Sequence, residues 1–184
     1  MTGRQALRDR HAHDTATRLT EADRQLWTPA EPSAVAELTA LVVDLRAAWD
    51  YAIAHDRPLA VRLAADAYDF AYVRQRLDLL AWGEHVASWE IAHPGLPRAL
   101  AAAAAAAWAR GRLDQATEYG EQAVAAAETD PPAAARAVTQ LGNLAMFLER
   151  SEAALERFRT AAVLTGKPAS TCVRSPTTCP WPRR

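Results

Sequence analysis

The residues of this chain best placed to do chemistry are three arginines. Arg62, Arg98 and Arg136 stand 36 and 38 residues apart, each just inside an alanine-rich helical stretch. Counted from Val61, Pro97 and Ala135 as position one, position nine carries Asp69, Ala105 and Asn143, and position twelve carries Tyr72, Trp108 and Met146. Positions two, five, nine and twelve share one helical face, because spacings of three and four track the turn of the helix. A guanidinium binds a carboxylate through two parallel hydrogen bonds. Three of them over an aromatic and methionine row therefore suit an acidic peptide segment. The competing expectation is that the arginines are merely solvated and Trp108 packs against a neighbour, since aromatic stripes commonly belong to cores. Positions four, eight and eleven read Ala64, Tyr68, Ala71; Leu100, Ala104, Ala107; Val138, Gly142, Ala145. They are small enough to be contacts between helices.

Other reactive residue types form no constellation. His11-Ala12-His13-Asp14 is the one metal-like cluster, but two histidines separated by one residue point about 200° apart on a helix and do not share a metal easily. His55 and His93 adjoin breaks with prolines and are expected to close helix ends. Cys172 and Cys179 lack the paired spacing of a zinc site and are expected to be free thiols. A Gly-x-Ser-x-Gly elbow is missing. The single Gly-Lys pair, Gly166-Lys167, is followed by proline and has Ala161 where a phosphate-cradling loop needs its first glycine. Glu84-His85 and the pair Glu118 and Glu121 read as solvated charges. No catalytic residue, cofactor ligand or metal ligand is assigned, and the chain is not expected to be an enzyme.

The elements that must position the arginine face are helices. Half of the 184 residues are apolar and 23% are charged, a globular composition rather than a disordered or membrane one. Forty-four alanines against three phenylalanines argue for helix over strand. The net charge of −1 divides into +4 for residues 166–184 and −5 for the rest. Such an acidic body offers no electrostatic footprint for nucleic acid. Lys167 stands alone against twenty arginines, which suggests a GC-rich genome. Neither a signal peptide nor an uncharged run of membrane-spanning length is legible, so a cytoplasmic location is expected, without a membrane partner.

Periodicity predicts a helix over about 4–27, then a stripe of Val35, Leu38, Leu41, Val42, Leu45, Trp49 and Ile53. Thr28-Pro29-Ala30-Glu31 has the spacing of a capping box, with proline as the first helical residue. Further helices are predicted over 59–74, 77–92, 98–110, 113–128, from Asp130-Pro131 to about 149, and from Ser151. The breaks recur. Arg74-Gln75-Arg76-Leu77-Asp78 returns as Arg110-Gly111-Arg112-Leu113-Asp114, and Gly83-Glu84 as Gly120-Glu121. A third unit runs from Leu141-Gly142-Asn143 to Ala154, Phe158 and Ala161. A period of 36 to 38 residues fits a stacked two-helix unit. The expected fold is all-α: antiparallel helical hairpins in a short right-handed solenoid.

The third unit resembles a tetratricopeptide repeat through Leu141-Gly142 in its first helix and Ala154, Phe158 and Ala161 in its second. The second unit resembles one through Gly111, Ala116, Ala123 and a closing Pro131. The first departs from the pattern, with Arg76 read at the place of the turn glycine. Arg10-His11-Ala12, then Asp44-Leu45-Arg46-Ala47-Ala48-Trp49, then Leu63-Ala64-Ala65 make residues 4–165 similar to the C-terminal helical region of the STAND-type regulatory ATPases common in actinobacteria. The chain is accordingly read as an N-terminal helical pair over 1–56, about three repeats over 57–165, and a tail over 166–184 that departs from the family and whose four prolines, basic charge and lack of helical period lead it to be expected disordered. The resemblance implies a concave groove lined by Arg62, Asp69, Tyr72, Arg98, Trp108, Arg136, Asn143 and Met146. The implied partner is a protein or peptide, acidic on the arginine reading, or the regulator's own nucleotide-binding module, which is not present in this sequence. The alternative expectation is a truncated or frameshifted remnant that self-associates through an uncapped last hairpin.

Overall fold

The computed structural model describes residues 3–127 and 130–165, and the tail read from 166 lies outside them. The described residues form helices and turns, with no strand among them. The helices are α1 (Gly3–Gln25), α2 (Glu31–His55), α3 (Arg57–Asp66), α4 (Tyr68–Val73), α5 (Leu77–Ala87), α6 (Leu96–Ala109), α7 (Leu113–Ala126), α8 (Pro131–Phe147) and α9 (Ser151–Thr165). The single helix expected over 59–74 is interrupted at Ala67, so that α3 and α4 follow one another directly. Consecutive helices pair as α1 with α2, α3–α4 with α5, α6 with α7, and α8 with α9. The first members α1, α3–α4, α6 and α8 also touch one another in that order. They form a row.

Helix starts follow side-chain chemistry. The Asp56 carboxylate accepts from the Leu59 N–H at 3.0 Å and opens α3, and Asp130 accepts from the Ala133 N–H at 3.1 Å and opens α8. Helix α2 starts two residues later than the capping-box spacing suggests. Thr28 Oγ1 accepts from the Ala30 N–H at 3.1 Å, Glu31 reaches back to the Trp27 N–H at 3.1 Å, and Ala30 rather than Thr28 precedes the helix. The helix read over 77–92 ends at Ala87. His93 consequently closes nothing: its Nδ1 accepts from the Gly95 N–H at 3.0 Å just before α6.

The repeat is visible in the backbone of its turns. Gln75, Gly111 and Glu149 take the left-handed conformation, with φ of 52°, 75° and 58°. The next N–H in each, of Arg76, Arg112 and Arg150, donates to the carbonyl five residues earlier at 2.8, 2.9 and 2.9 Å. These bonds satisfy carbonyls that a helix end leaves open. Gln75, not Arg76, therefore holds the place of the turn glycine in the first unit. Left-handed backbone is strained for a residue with a Cβ, so Gly111 is the relaxed version of the three.

Close approach between hairpins rests on absent side chains. A Cβ at Gly83 would lie 2.3 Å from the Ala99 carbonyl and 2.5 Å from the Ala103 nitrogen, both backbone atoms of α6. Gly120 has the corresponding role on α7, where a Cβ would meet the Leu141 side chain of α8 at 2.6 Å. The echo between Gly83 and Gly120 is thus a repeated helix contact. The principal core is continuous from Ala12 to Ala106 and joins α1 through α6 across residue 56. Beyond it lie small clusters such as Ala107, Ala116 and Leu144, or Ala135, Val138 and Ala161.

Candidate functional site

Positions two and nine of the row do not form an open basic strip. The three arginines of position two and Asp69 of position nine join Asp23 and Asp66 in a cluster of three guanidiniums and three carboxylates. Arg98 donates to both oxygens of Asp23 at 2.6 Å and to Asp69 at 2.8 Å, with Asp66 at 3.7 Å. Its side chain is only 15% exposed, and Asp23 and Asp69 are 10% exposed, so little solvent screens these bonds. Arg136 adds a second cation to Asp69 at 3.2 Å. Arg62 donates from its Nε and a terminal nitrogen to Thr20 Oγ1 at 3.1 and 2.7 Å, and Thr20 donates to Asp66 at 2.6 Å. Residues of α1, α3, α4, α6 and α8 are linked in this way.

The electrostatics follow from burial. Desolvation pushes the Asp23 carboxyl above the usual carboxylate range, further than the Arg98 hydrogen bond and charge pull it down. Asp69 and Asp66 add to the rise as like charges. Arg98 Nε is buried without a hydrogen-bond partner, while its terminal nitrogens carry the whole recognition. The acid-gripping capacity expected of the three arginines is largely taken up by carboxylates of the same chain.

Further along the row the chemistry differs. Tyr72 OH accepts from Asn143 Nδ2 at 3.3 Å, and Tyr68 OH accepts from Gln140 Nε2 at 2.6 Å. Both bonds join α4 to α8, the helices on either side of α6. Ala101 and Ala105 of α6 are buried there and project only a methyl group each, which is what lets the longer side chains meet. Burial drives the Tyr68 hydroxyl well above the ordinary tyrosine range, so it stays protonated. Trp108 is half-buried and meets the Phe147 ring edge-on at 6.3 Å. Met146 and Phe147 are 55% and 63% exposed. Between α4 and α6 lies a cavity of about 140 Å³, lined by Tyr72, Gln75, Leu77, Leu80, Ala105, Trp108 and Ala109.

The structure therefore brings Arg62, Asp69, Arg98 and Arg136 together in one ionic cluster, and places Tyr72, Trp108, Asn143 and Met146 outside it, one to three turns further along the same row. Sequence reasoning missed Thr20, Asp23 and Asp66, the partners that saturate the arginines. One signal is present for two of them. Asp23 and Asp66 stand in the last turns of their helices, where the helix dipole disfavours an anion unless a cation compensates it.

The histidine pair has separate partners. His11 lies 3.7 Å from Asp44, and His13 lies 3.7 Å from Asp9 and 3.5 Å from Asp56. Among the described residues no group of three histidine, cysteine or acidic side chains is arranged to hold a metal ion, and no helix is long and apolar enough to cross a membrane. Glu84 takes ion pairs from Arg110 and Arg112 across the α6–α7 turn. Cys172 and Cys179 lie outside the described residues. No protein-family model, curated protein or solved structure matches this chain.

Proposed function

We propose that this chain is a peptide- or protein-binding module of tetratricopeptide-like form, the partner-binding arm of a STAND-like regulator, cytoplasmic and without catalysis of its own. Three turns with a left-handed residue at the equivalent place and the same five-residue hydrogen bond support a repeat stack. In such a stack the row of first helices is the surface that receives an extended segment. The observation that carries the reading is the apolar end of that row, where Met146 and Phe147 are exposed beside a 140 Å³ cavity walled by Tyr72 and Trp108. A ligand of this end needs an apolar or aromatic anchor more than a string of acids. An acidic flank finds at most Arg62 and Arg136, each about one third exposed.

A random-peptide display library selected on the folded chain tests this. The expected result is enrichment of peptides with an aromatic or large aliphatic anchor, whose binding falls at least tenfold with Trp108→Ala or Met146→Glu. Peptides indifferent to both substitutions, or no enrichment, would remove the groove from the account.

A second reading, a remnant that self-associates, is favoured by one feature. Val163 is 81% exposed and Leu155 43% exposed on α9, apolar side chains that a second copy would cover. Light scattering on the full chain decides between them: a monomer at micromolar concentration supports the binding arm, and heterogeneous oligomers support the remnant.

A further inference from the structure

We propose that Trp27 is a second anchor for the partner, which is an acidic extended segment carrying two apolar side chains about eight residues apart. The inference rests on the reading of the Met146 and Phe147 edge as a contact for a protein or peptide. Strain comes first. Trp27, in the turn between α1 and α2, has a left-handed backbone with φ of 65°, a conformation unfavourable for a bulky side chain. The left-handed residues of the other turns are Gln75, Gly111 and Glu149, polar or without a side chain. Burial of the Trp27 ring offsets little of the strain, because it is 57% exposed. Strain held without burial points to a role outside the fold, and tryptophan is enriched among the side chains that carry binding energy at protein contacts.

Trp27 lies on the same edge as Met146 and Phe147. It borders a shallow hollow with Val73 and Arg74 at the end of α4, and Val73 is exposed. The end of α4 lies beside the end of α6, since Tyr72 and Ala109 border one cavity. The Trp108 ring near the end of α6 in turn meets Phe147 at the end of α8. The turns after α1, α4, α6 and α8 are therefore in line. Three helix spacings of about 8–10 Å separate Trp27 from Phe147, roughly 27 Å in all. An extended segment covers that distance in about eight residues at about 3.3 Å each.

Charge selects what lies between the anchors. The two turns crossed are Arg74-Gln75-Arg76 and Arg110-Gly111-Arg112, with four arginines and no acid. Asp78, Glu84 and Asp114 flank them, so four positive and three negative charges leave +1, where residues 1–165 together carry −5. Arg76 is bonded to Asp78, and Arg110 and Arg112 to Glu84. Arg74 is exposed, and the side chains of Arg110 and Arg112 are 37% and 42% exposed, so guanidinium donors remain for a bound carboxylate. A segment running toward the helix starts meets Arg62 and Arg136 instead. Acids between the two anchors favour the path across the turns, and added salt weakens it.

Fluorescein-labelled peptides test this on the full chain. Three carry two phenylalanines joined by alternating glutamate and serine, at separations of about four, eight and twelve residues, and a fourth carries a single phenylalanine. The expected result is tightest binding at the middle separation, weakened about tenfold by Trp27→Asn or Val73→Glu and several-fold by Arg74→Glu. The single-phenylalanine peptide should be indifferent to Trp27→Asn and sensitive to Met146→Glu. Equal affinity at all separations, or Trp27→Asn and Val73→Glu without effect, would overturn the proposal. If Met146→Glu still weakens the single-phenylalanine peptide in that case, the second anchor alone is refuted. If no peptide binds, or none responds to Met146→Glu, the reading of the edge falls with it. Asparagine visits left-handed backbone routinely, so the Trp27→Asn chain is expected to keep its urea midpoint. A chain that unfolds would show that the ring serves the fold, and would overturn the proposal. So would a dimer that Trp27→Asn makes monomeric, which assigns the ring to a second copy. Cosedimentation with phosphatidylcholine–phosphatidylglycerol vesicles that Trp27→Asn abolishes would assign it to a lipid surface, with the same consequence.

Discussion

At the start of each first-row helix, Arg62, Arg98 and Arg136 meet acceptors from elsewhere in the same chain. About ten residues further along, Tyr72 and Trp108 line a cavity, and Met146 and Phe147 form an exposed apolar edge. Both ends carry the same threefold repetition of sequence, yet their chemistry is spent differently. Buried carboxylates and guanidiniums satisfy one another and gain their worth by joining α1, α3, α4, α6 and α8. Their charges are too committed to recognise an outside acid cheaply, because a competing carboxylate would have to displace Asp23 or Asp69 and leave it buried without a cation. The apolar end instead keeps Met146 and Phe147 facing solvent. The difference teaches that arginines at repeat spacing can fasten helices to one another while solvent-facing apolar residues lie further along the same row.

Substitutions should separate the two ends, and the largest effect belongs to the ionic one. Arg98→Ala removes the shared partner of Asp23 and Asp69 and should cost ~3–5 kcal/mol of stability, the usual result of stranding buried charge, read as a drop in the urea midpoint. A wild-type midpoint would mean that the cluster fastens nothing. Arg136→Ala should cost less, about 1 kcal/mol, since Asp69 keeps Arg98 and the lost side chain is one third exposed. Met146→Glu should leave the midpoint within about 0.5 kcal/mol, as expected of an exposed position, while peptide binding falls. If Met146→Glu unfolded the chain and Arg98→Ala did not, the assignment of the two ends would be reversed.

A titration sharpens the same contrast at the smallest scale. Asp23, buried, has a raised pKa, so the folded protein holds this proton more tightly than the unfolded chain. Its contribution to stability is present at low pH and fades as the pH rises through its folded value. Asp78, at the surface, is held well below the carboxylate range, chiefly by the hydrogen bond from Arg76 and with help from Arg46. Its contribution is present at neutral pH and is lost as the pH falls below about 4 toward the folded value. Carboxyl carbon shifts followed by NMR should show Asp23 protonating before Asp78 as acid is added. The opposite order would mean that Asp23 is not desolvated.

Much of the frame is legible in the amino-acid sequence. Apolar spacing marks the helices, Asp130 marks the start of α8, and the recurrence of Arg-x-Arg-Leu-Asp marks two of the three equivalent turns. All but one of the residues at positions four, eight and eleven are buried, with Ala145 half-buried. Gln75 is harder to place because a glutamine in left-handed backbone has no local signature, and only alignment with Gly111 reveals it. The interruption at Ala67 lies in a run of good helix formers with no proline or glycine nearby, and nothing in the sequence marks it. The partners of the arginines are hidden for a different reason. Asp23 is 75 residues from Arg98, and period arithmetic within the repeats says nothing about a carboxylate that the preceding hairpin brings over them.

The most direct test of the divided row is amide shift mapping of the full chain with a peptide taken from the library selection. The account predicts perturbations at residues 72–77, 105–109 and 143–147, with the amides of Asp23, Arg62, Asp66, Asp69 and Arg98 left in place. Perturbations centred on Arg62, Arg98 and Arg136, with the Trp108 and Met146 region unmoved, would contradict it and restore the arginines as the binding face.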